Sequence, residues 1–258
     1  MRFELLMPVL ALLLFAGNAQ AQTAANDCAE TKTQLTRAQT KLNDWPALAR
    51  YHDANVKVVP PAKNEARVVF MGDSITDSWD DQKYGGFFPG KPYIDRGISG
   101  QTTPQMLARF RQDVIDLHPA VVQIMAGTND IAGNTGPMTP EETQANIRSM
   151  VELAHAHGIR VILASIPPAD MFPWKPGLDP GGKIAAMNAW LKAYAVRAGC
   201  IHADYWSAMK DNGLGMRGGL SSDHVHPTRA GYAVMAPVAE AAIKRALARP
   251  APRKSAVD

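Results

Sequence analysis

The run Val68-Val69-Phe70-Met71 passes directly into Gly72-Asp73-Ser74-Ile75-Thr76, and this junction constrains the fold more than any other stretch. Four consecutive large apolar residues read as a strand buried on both faces. A glycine and two short polar residues then turn the chain, because Gly tolerates positive φ and Asp and Ser bond their own backbone. A strand that turns this tightly into a helix opens a parallel α/β unit. It leaves the Ser74 hydroxyl at the carboxyl end of a sheet, where open α/β sheets bind ligands. By itself such a pentapeptide is more often only a turn.

The same alternation continues down the chain. Strands are expected at Arg67–Met71, Pro92–Asp95, Val121–Ala126, Arg160–Ser165 and Cys200–Ala203. Helices are expected at Thr103–Leu117, Pro140–His157, Lys183–Arg197 and about Thr228–Ala248. Pro104 and Pro140 suit first helical turns, and Gly158 and Gly199 suit helix C-termini. The last helix carries Ala230, Ala233, Val234, Val238, Ala241 and Ala242 at helical spacing, a face fit to pack on a sheet. The fold class is therefore α/β, with a parallel sheet covered by helices on both faces. At 258 residues and 46% hydrophobic, the chain is long enough for one sizeable core.

Ahead of this domain lie two other segments. Arg2, the apolar run Leu5 to Gly17 and Ala19-Gln20-Ala21 fit an export signal spanning 1–21. The apolar run is short of the ~20 residues a spanning helix needs. Residues 22–66 read as an N-terminal helical extension, polar and helix-prone from Asp27 to about Tyr51 and closed by Pro60-Pro61, which have no amide hydrogen to donate. The sheet domain is expected at 67–248 and a disordered tail at 249–258. Cys28 and Cys200 can pair in an oxidising compartment or serve as two small buried hydrophobes. The formal charge of +3 comes without a Lys/Arg-rich block, so no nucleic-acid partner is expected.

The residues fit for chemistry follow the strands. Serine is a poor nucleophile until a base takes its proton. His226 can be that base, and Asp223, three residues earlier on a turn, can bond the other ring nitrogen and fix its tautomer. The His-x-His spacing at 224 and 226 also suits a metal, but no second cluster of ligands accompanies it. No metal or cofactor is expected. His52, His118, His155, His157 and His202 read as structural or solvated, and Met125 and Met187 as core.

Four short blocks recur in order: Gly72-Asp73-Ser74, Ile98-Ser99-Gly100-Gln101, Gly127-Thr128-Asn129-Asp130, and Asp223-His224-Val225-His226-Pro227. Together they resemble the SGNH hydrolases, the GDSL esterase/lipase family, over roughly residues 67–246. The resemblance implies a three-layer α/β/α sandwich with a flavodoxin-like parallel five-stranded sheet. It implies Ser74, Asp223 and His226 as catalytic residues. It also implies an oxyanion hole from the Ser74 and Gly100 amides and the Asn129 side chain. A glycine lets backbone approach a substrate, and an amide donates without a competing charge. Asp73 and Asp130 are expected to brace these loops. Ile75 replaces the family's usual leucine, and His224, between acid and base, has no assigned role.

The expected function is an exported serine esterase, periplasmic or secreted. It should cleave short-chain esters, acetyl above all, on small or carbohydrate substrates through an acyl-Ser74 intermediate. The alternatives are a lysophospholipase or thioesterase, or a non-catalytic glycan-binding module on the same fold. No stable membrane insertion after signal cleavage is expected, and oligomeric state is left open. The Pro/Gly-rich loop Pro167–Gly182, long for a compact domain, carries Met171, Phe172 and Trp174. Trp174 reads either as part of a packing cluster or as a wall of the substrate cleft.

Overall fold

The structure, a computed structural model, describes residues 26–36, 38–40 and 42–254. The expected signal segment 1–21 and the chain end 255–258 lie outside the described residues. The chain divides into two compact units, Met1–Ala47 and Leu48–Asp258. In the first, residues 26–36, 38–40 and 42–43 are helical, as the polar, breaker-poor sequence leads one to expect.

In the second unit, strands β1 (Val68–Gly72), β2 (Tyr93–Gly97), β3 (Val121–Met125), β4 (Arg160–Ala164) and β5 (Ile201–Ala203) form one sheet in the order β2-β1-β3-β4-β5. All pairings are parallel. Each strand lies within two residues of its expected bounds. Helices Thr103–Asp113, Pro140–Ala156, Gly181–Arg197 and Arg229–Leu247 flank it in a three-layer sandwich. β1 and β3 are buried at every position; β1 is apolar up to its closing glycine, whereas β3 carries the buried Gln123, whose Oε1 accepts from the Tyr205 hydroxyl at 2.8 Å. Met125 and Met187 are core residues, as expected. Capping boxes at Thr102/Gln105 and Thr139/Glu142 start two of the helices, each satisfying orphan amides reciprocally.

Some boundaries differ from the sequence reading. The helix expected to reach Leu117 ends at Asp113; Val114 leaves helical geometry (φ −130°), and a 3₁₀ turn, Ile115–Leu117, closes on His118 at φ 50°. Residues 48–66, read as part of an extension, pack with the sheet unit. The Tyr51 hydroxyl donates to the Gly97 carbonyl, and Asn55 Nδ2 donates to Asp113 Oδ1 at 2.7 Å. The tail expected to be disordered is placed as far as Lys254. The Arg249 carbonyl accepts from Arg160 Nε at 2.8 Å, and Arg249 Nη1 donates to Gly199 O at 3.1 Å. Cys28 is exposed, Cys200 is buried, and both are free thiols. Burial pushes the Cys200 thiol up to about 12, so it stays protonated and inert.

The order β2-β1-β3 matters for function. From β1 the chain crosses to one side and then, through β3, to the other, which opens a crevice at the carboxyl ends of these strands. Gly72 is in register with both Gly97 and Met125, so three loops leave the sheet at one level. Two glycines let them close up. A Cβ on Gly72 would lie 2.0 Å from Thr76 Oγ1, and one on Gly97 would lie 2.0 Å from the Asp77 amide nitrogen.

Candidate active site

The helix Ser74–Asp77 begins directly after β1, with Asp73 as its N-cap accepting from the Ile75 amide at 3.0 Å. It is held from behind. Tyr232, on the last helix, donates its hydroxyl to the Ile75 carbonyl at 2.8 Å, and its ring packs 5.1 Å from Trp79. Trp79 in turn packs on Phe70 of β1, with ring centroids 6.0 Å apart. A buried aromatic cluster thus fixes the turn that presents Ser74.

Asp223 and His226 lie on the loop just before the helix Arg229–Leu247. Ser74 Oγ is 2.9 Å from His226 Nε2, and His226 Nδ1 is 2.6 Å from Asp223 Oδ2. The other carboxylate oxygen accepts from the amides of Val225 at 3.0 Å and His226 at 2.7 Å. Burial raises the Asp223 carboxyl, but the His226 amide, the His226 ring and the Val225 amide outweigh it and hold it down at about 2. Asp223 is therefore ionised across the working range and oriented from both oxygens. With Nδ1 donating to it, Nε2 is the free base facing the serine, an arrangement able to generate an alkoxide-like nucleophile.

The other two blocks converge here. Gly100 has φ 80° and open space where a Cβ would stand, so its backbone faces the cleft unobstructed. Asn129, buried, follows β3; its Nδ2 donates to Gln101 O at 3.0 Å and makes a long 3.4 Å contact with Asp73 Oδ2. Ser74, Gly100, Asn129, Asp223, His226 and Trp174 line one cleft of about 450 Å³. All six site residues read from the sequence are thus brought together. Asp130 braces the loops, accepting from the Thr103 amide at 3.1 Å and from the Thr143 hydroxyl at 3.3 Å. Asp73 is buried, which raises its carboxyl to about 6 against the lowering pull of the Ile75 amide and the His226 charge. A second, more apolar cavity of about 420 Å³ between the helices Pro140–Ala156 and Gly181–Arg197 holds neither Ser74 nor His226.

Trp174 combines both readings open in the sequence. Phe172 is the buried anchor, stacked on Trp174 at 5.0 Å. Trp174 itself is 41% exposed and lies over the His226 ring, centroids 6.1 Å apart. The structure adds residues that sequence reasoning missed. Asn134 accepts from Trp174 Nε1 at 3.2 Å and donates to Asn129 Oδ1 at 2.7 Å. His224, at φ 73°, pairs with Asp170 of the 167–182 loop at 3.0 Å. Arg109, fully buried, pairs with Asp113 at 3.0 Å and donates to Gln101 Oε1 at 2.6 Å. No sequence motif marks Asn134 or Arg109. Only the unusual burden of a non-glycine in the left-handed region at 224 hints at tertiary support. Among the described residues no three His, Cys, Asp or Glu side chains group as a metal site, and no helix is long and apolar enough to cross a membrane.

Sheet order, the serine turn after β1 and the Asp-x-x-His loop before the last helix define the class: a protein of the three-layer SGNH hydrolase fold. The chain belongs to the GDSL-like lipase/acylhydrolase family, whose pattern it matches over residues 70–234. It is similar to a Bacteroides fragilis protein assigned as an acylhydrolase (46% identity, TM-score 0.75, covering 79% of this chain and 98% of that one). It is likewise similar to a GDSL-like lipase of Bacteroides thetaiotaomicron (42% identity, TM-score 0.75, covering 78% and 98%). It is 30% identical over 141 residues to Esterase TesA of Pseudomonas aeruginosa, which covers 53% of this chain and 62% of that esterase. The chain thus spans less than two thirds of that curated relative.

Proposed function

We propose that this protein is an exported serine esterase that removes short acyl groups, acetyl above all, from small or carbohydrate alcohols. The observation that carries the reading is the continuous line Ser74 Oγ, His226, Asp223, with gaps of 2.9 and 2.6 Å. Ser74 Oγ attacks the ester carbonyl while His226 Nε2 takes its proton. Asp223 holds the Nδ1–H and stabilises the imidazolium that forms. The oxyanion is met by the Ser74 amide, whose place in the first turn leaves it without an intrahelical acceptor, by the Gly100 amide and by Asn129 Nδ2. The N–H of Asn129 now spent on the 3.4 Å contact to Asp73 has the least to lose by turning to that charge. His226 then protonates the leaving alcohol. Water, activated by the same ring, frees Ser74.

The cleft supports the choice of substrate. Beside Ser74 it is lined by Ser78, Tyr84, Ser99, Asn134 and Ser222, hydrogen-bonding groups suited to hydroxyls. Trp174 offers an exposed ring face on which a sugar can stack. A fatty chain would gain little from such walls, since its transfer energy comes from apolar area removed from water. Export rests on the signal-like segment 1–21. An acyl-length series of p-nitrophenyl esters tests the preference: kcat/KM should fall steadily from acetate to decanoate, and a maximum at long chains would contradict it.

A further inference from the structure

Three side-chain hydrogen bonds run in one direction from the 167–182 loop to the carboxyl end of β3. Trp174 Nε1 donates to Asn134 Oδ1 at 3.2 Å. Asn134 Nδ2 donates to Asn129 Oδ1 at 2.7 Å. Asn129 Nδ2 donates to the Gln101 carbonyl at 3.0 Å. The direction is dictated by chemistry at both ends. An indole N–H can only donate and a main-chain carbonyl can only accept. The Asn134 atom facing Trp174 must therefore be its oxygen, which turns its nitrogen to Asn129. Asn129 must answer with oxygen, and its nitrogen is left for Gln101 and the cleft. Backbone reinforces the placement: the Asn134 amide donates to the Asn129 carbonyl at 3.0 Å, just beyond the helix Thr128–Ala132.

We infer that Asn134 is a positioning residue that sets which way round the Asn129 amide stands, with the Trp174 indole fixing Asn134 in turn. The inference rests on the reading of Asn129 as an oxyanion donor given above. An amide flipped by 180° would set the Asn129 oxygen against the Gln101 carbonyl and aim a lone pair at the developing oxyanion. A preorganised donor would thereby become a repulsive acceptor. The chain of three bonds removes that alternative before substrate arrives. It also gives Trp174 two separate duties: its ring lines the cleft beside His226, and its N–H is spent on the donor.

The test measures kcat and KM on p-nitrophenyl acetate for Asn134→Asp and Trp174→Phe, each alone and combined with Asn129→Ala, with circular dichroism and Tm alongside. Asn134→Asp keeps size and keeps an acceptor for Trp174 but presents a second oxygen to Asn129 Oδ1, which favours the flipped amide. Its kcat should fall about tenfold or more with KM nearly unchanged; Trp174→Phe, which keeps the ring on Phe172, should lose kcat by about two- to fivefold. In the Asn129→Ala background both losses should vanish, because no amide remains to orient. Equal losses in that background, or Asn134→Asp with wild-type kcat, would overturn the positioning role. If Asn134→Asp does not fold, Trp174→Phe and its double variant decide the matter alone. If Asn129→Ala itself leaves kcat intact, the oxyanion assignment falls and the positioning role falls with it. If Asn129→Ala costs about a hundredfold but the other two cost nothing, only the positioning role fails.

Discussion

The buried guanidinium of Arg109 donates to the main-chain carbonyl of Gly72 at 3.1 Å. That carbonyl ends β1, two residues before Ser74, so the strand end carrying the nucleophile is tied to the helix Thr103–Asp113. The same guanidinium pairs with Asp113 at 3.0 Å, both side chains fully buried. Removing one partner leaves an uncompensated buried charge, which typically costs about 3–5 kcal/mol. Arg109→Met should therefore lower stability by about that much in urea unfolding. Arg109→Met combined with Asp113→Leu should recover only part of it, because Asn55, Gln101 and Gly72 still lose hydrogen-bond partners, and a neutral single variant would show that the ion pair contributes nothing.

Two carboxylates give opposite pH slopes. Asp73 is raised to about 6 in the folded protein by burial. The folded state then holds its proton longer than the unfolded chain, so this group's contribution to stability falls as pH rises from about 4 to about 6. Asp73→Asn should flatten that fall, gaining up to about 3 kcal/mol relative to wild type between pH 4 and pH 7. Asp223 is held down at about 2, its burial outweighed by the His226 amide, the His226 ring and the Val225 amide. Its contribution is present above about pH 4 and lost as pH falls toward about 2. Asp223→Asn should weaken that acid loss. Unfolding free energies against pH for the three proteins check both signs; a reversed slope for either variant would contradict the assigned environment.

The losses within the pair should be graded. His226→Ala deletes the proton acceptor and should approach the loss of Ser74 itself. Asp223→Ala should lose less, because Asp223 orients the ring and does not take the proton. Its kcat/KM on p-nitrophenyl acetate should stay at least about tenfold above that of His226→Ala, and an equal or reversed order would overturn these roles.

Trp174 should separate substrates by size. It lines the cleft beside His226, with ring centroids 6.1 Å apart. Trp174→Ala should raise KM for an acetylated oligosaccharide several-fold beyond its effect on p-nitrophenyl acetate, at nearly unchanged Tm. A drop in Tm with equal effects on both substrates would contradict a role for the ring in substrate binding.

The sheet was legible because its strands obey local rules. β1 is an apolar run and β3 is one but for Gln123, and Gly158 and Gly199 sit at positive φ where the helix ends were read. The site was legible because its chemistry lies in four short local blocks. What the sequence did not disclose is held by tertiary partners. Arg109 reads as one more charge on an amphipathic helix until Gln101, Asp113 and Gly72 surround it. No local pattern marks Asn134, and only the fold sets it between Trp174 and Asn129. Asp170 and His224 are 54 residues apart, and no periodicity relates them. Nor does any local pattern announce that Arg249, at the start of the tail, finds carbonyls on the Gly199–Cys200 turn.

The most direct test of the central claim is kcat/KM of Ser74→Ala on p-nitrophenyl acetate, with circular dichroism recorded on the same sample. The hydroxyl stands 2.9 Å from the His226 base, and nothing else in the cleft replaces it as nucleophile in the mechanism proposed. The expected result is a loss of more than about a thousandfold with an unchanged spectrum, since losing such a residue normally costs more than that. A folded Ser74→Ala protein that keeps more than about a thousandth of wild-type turnover would contradict it.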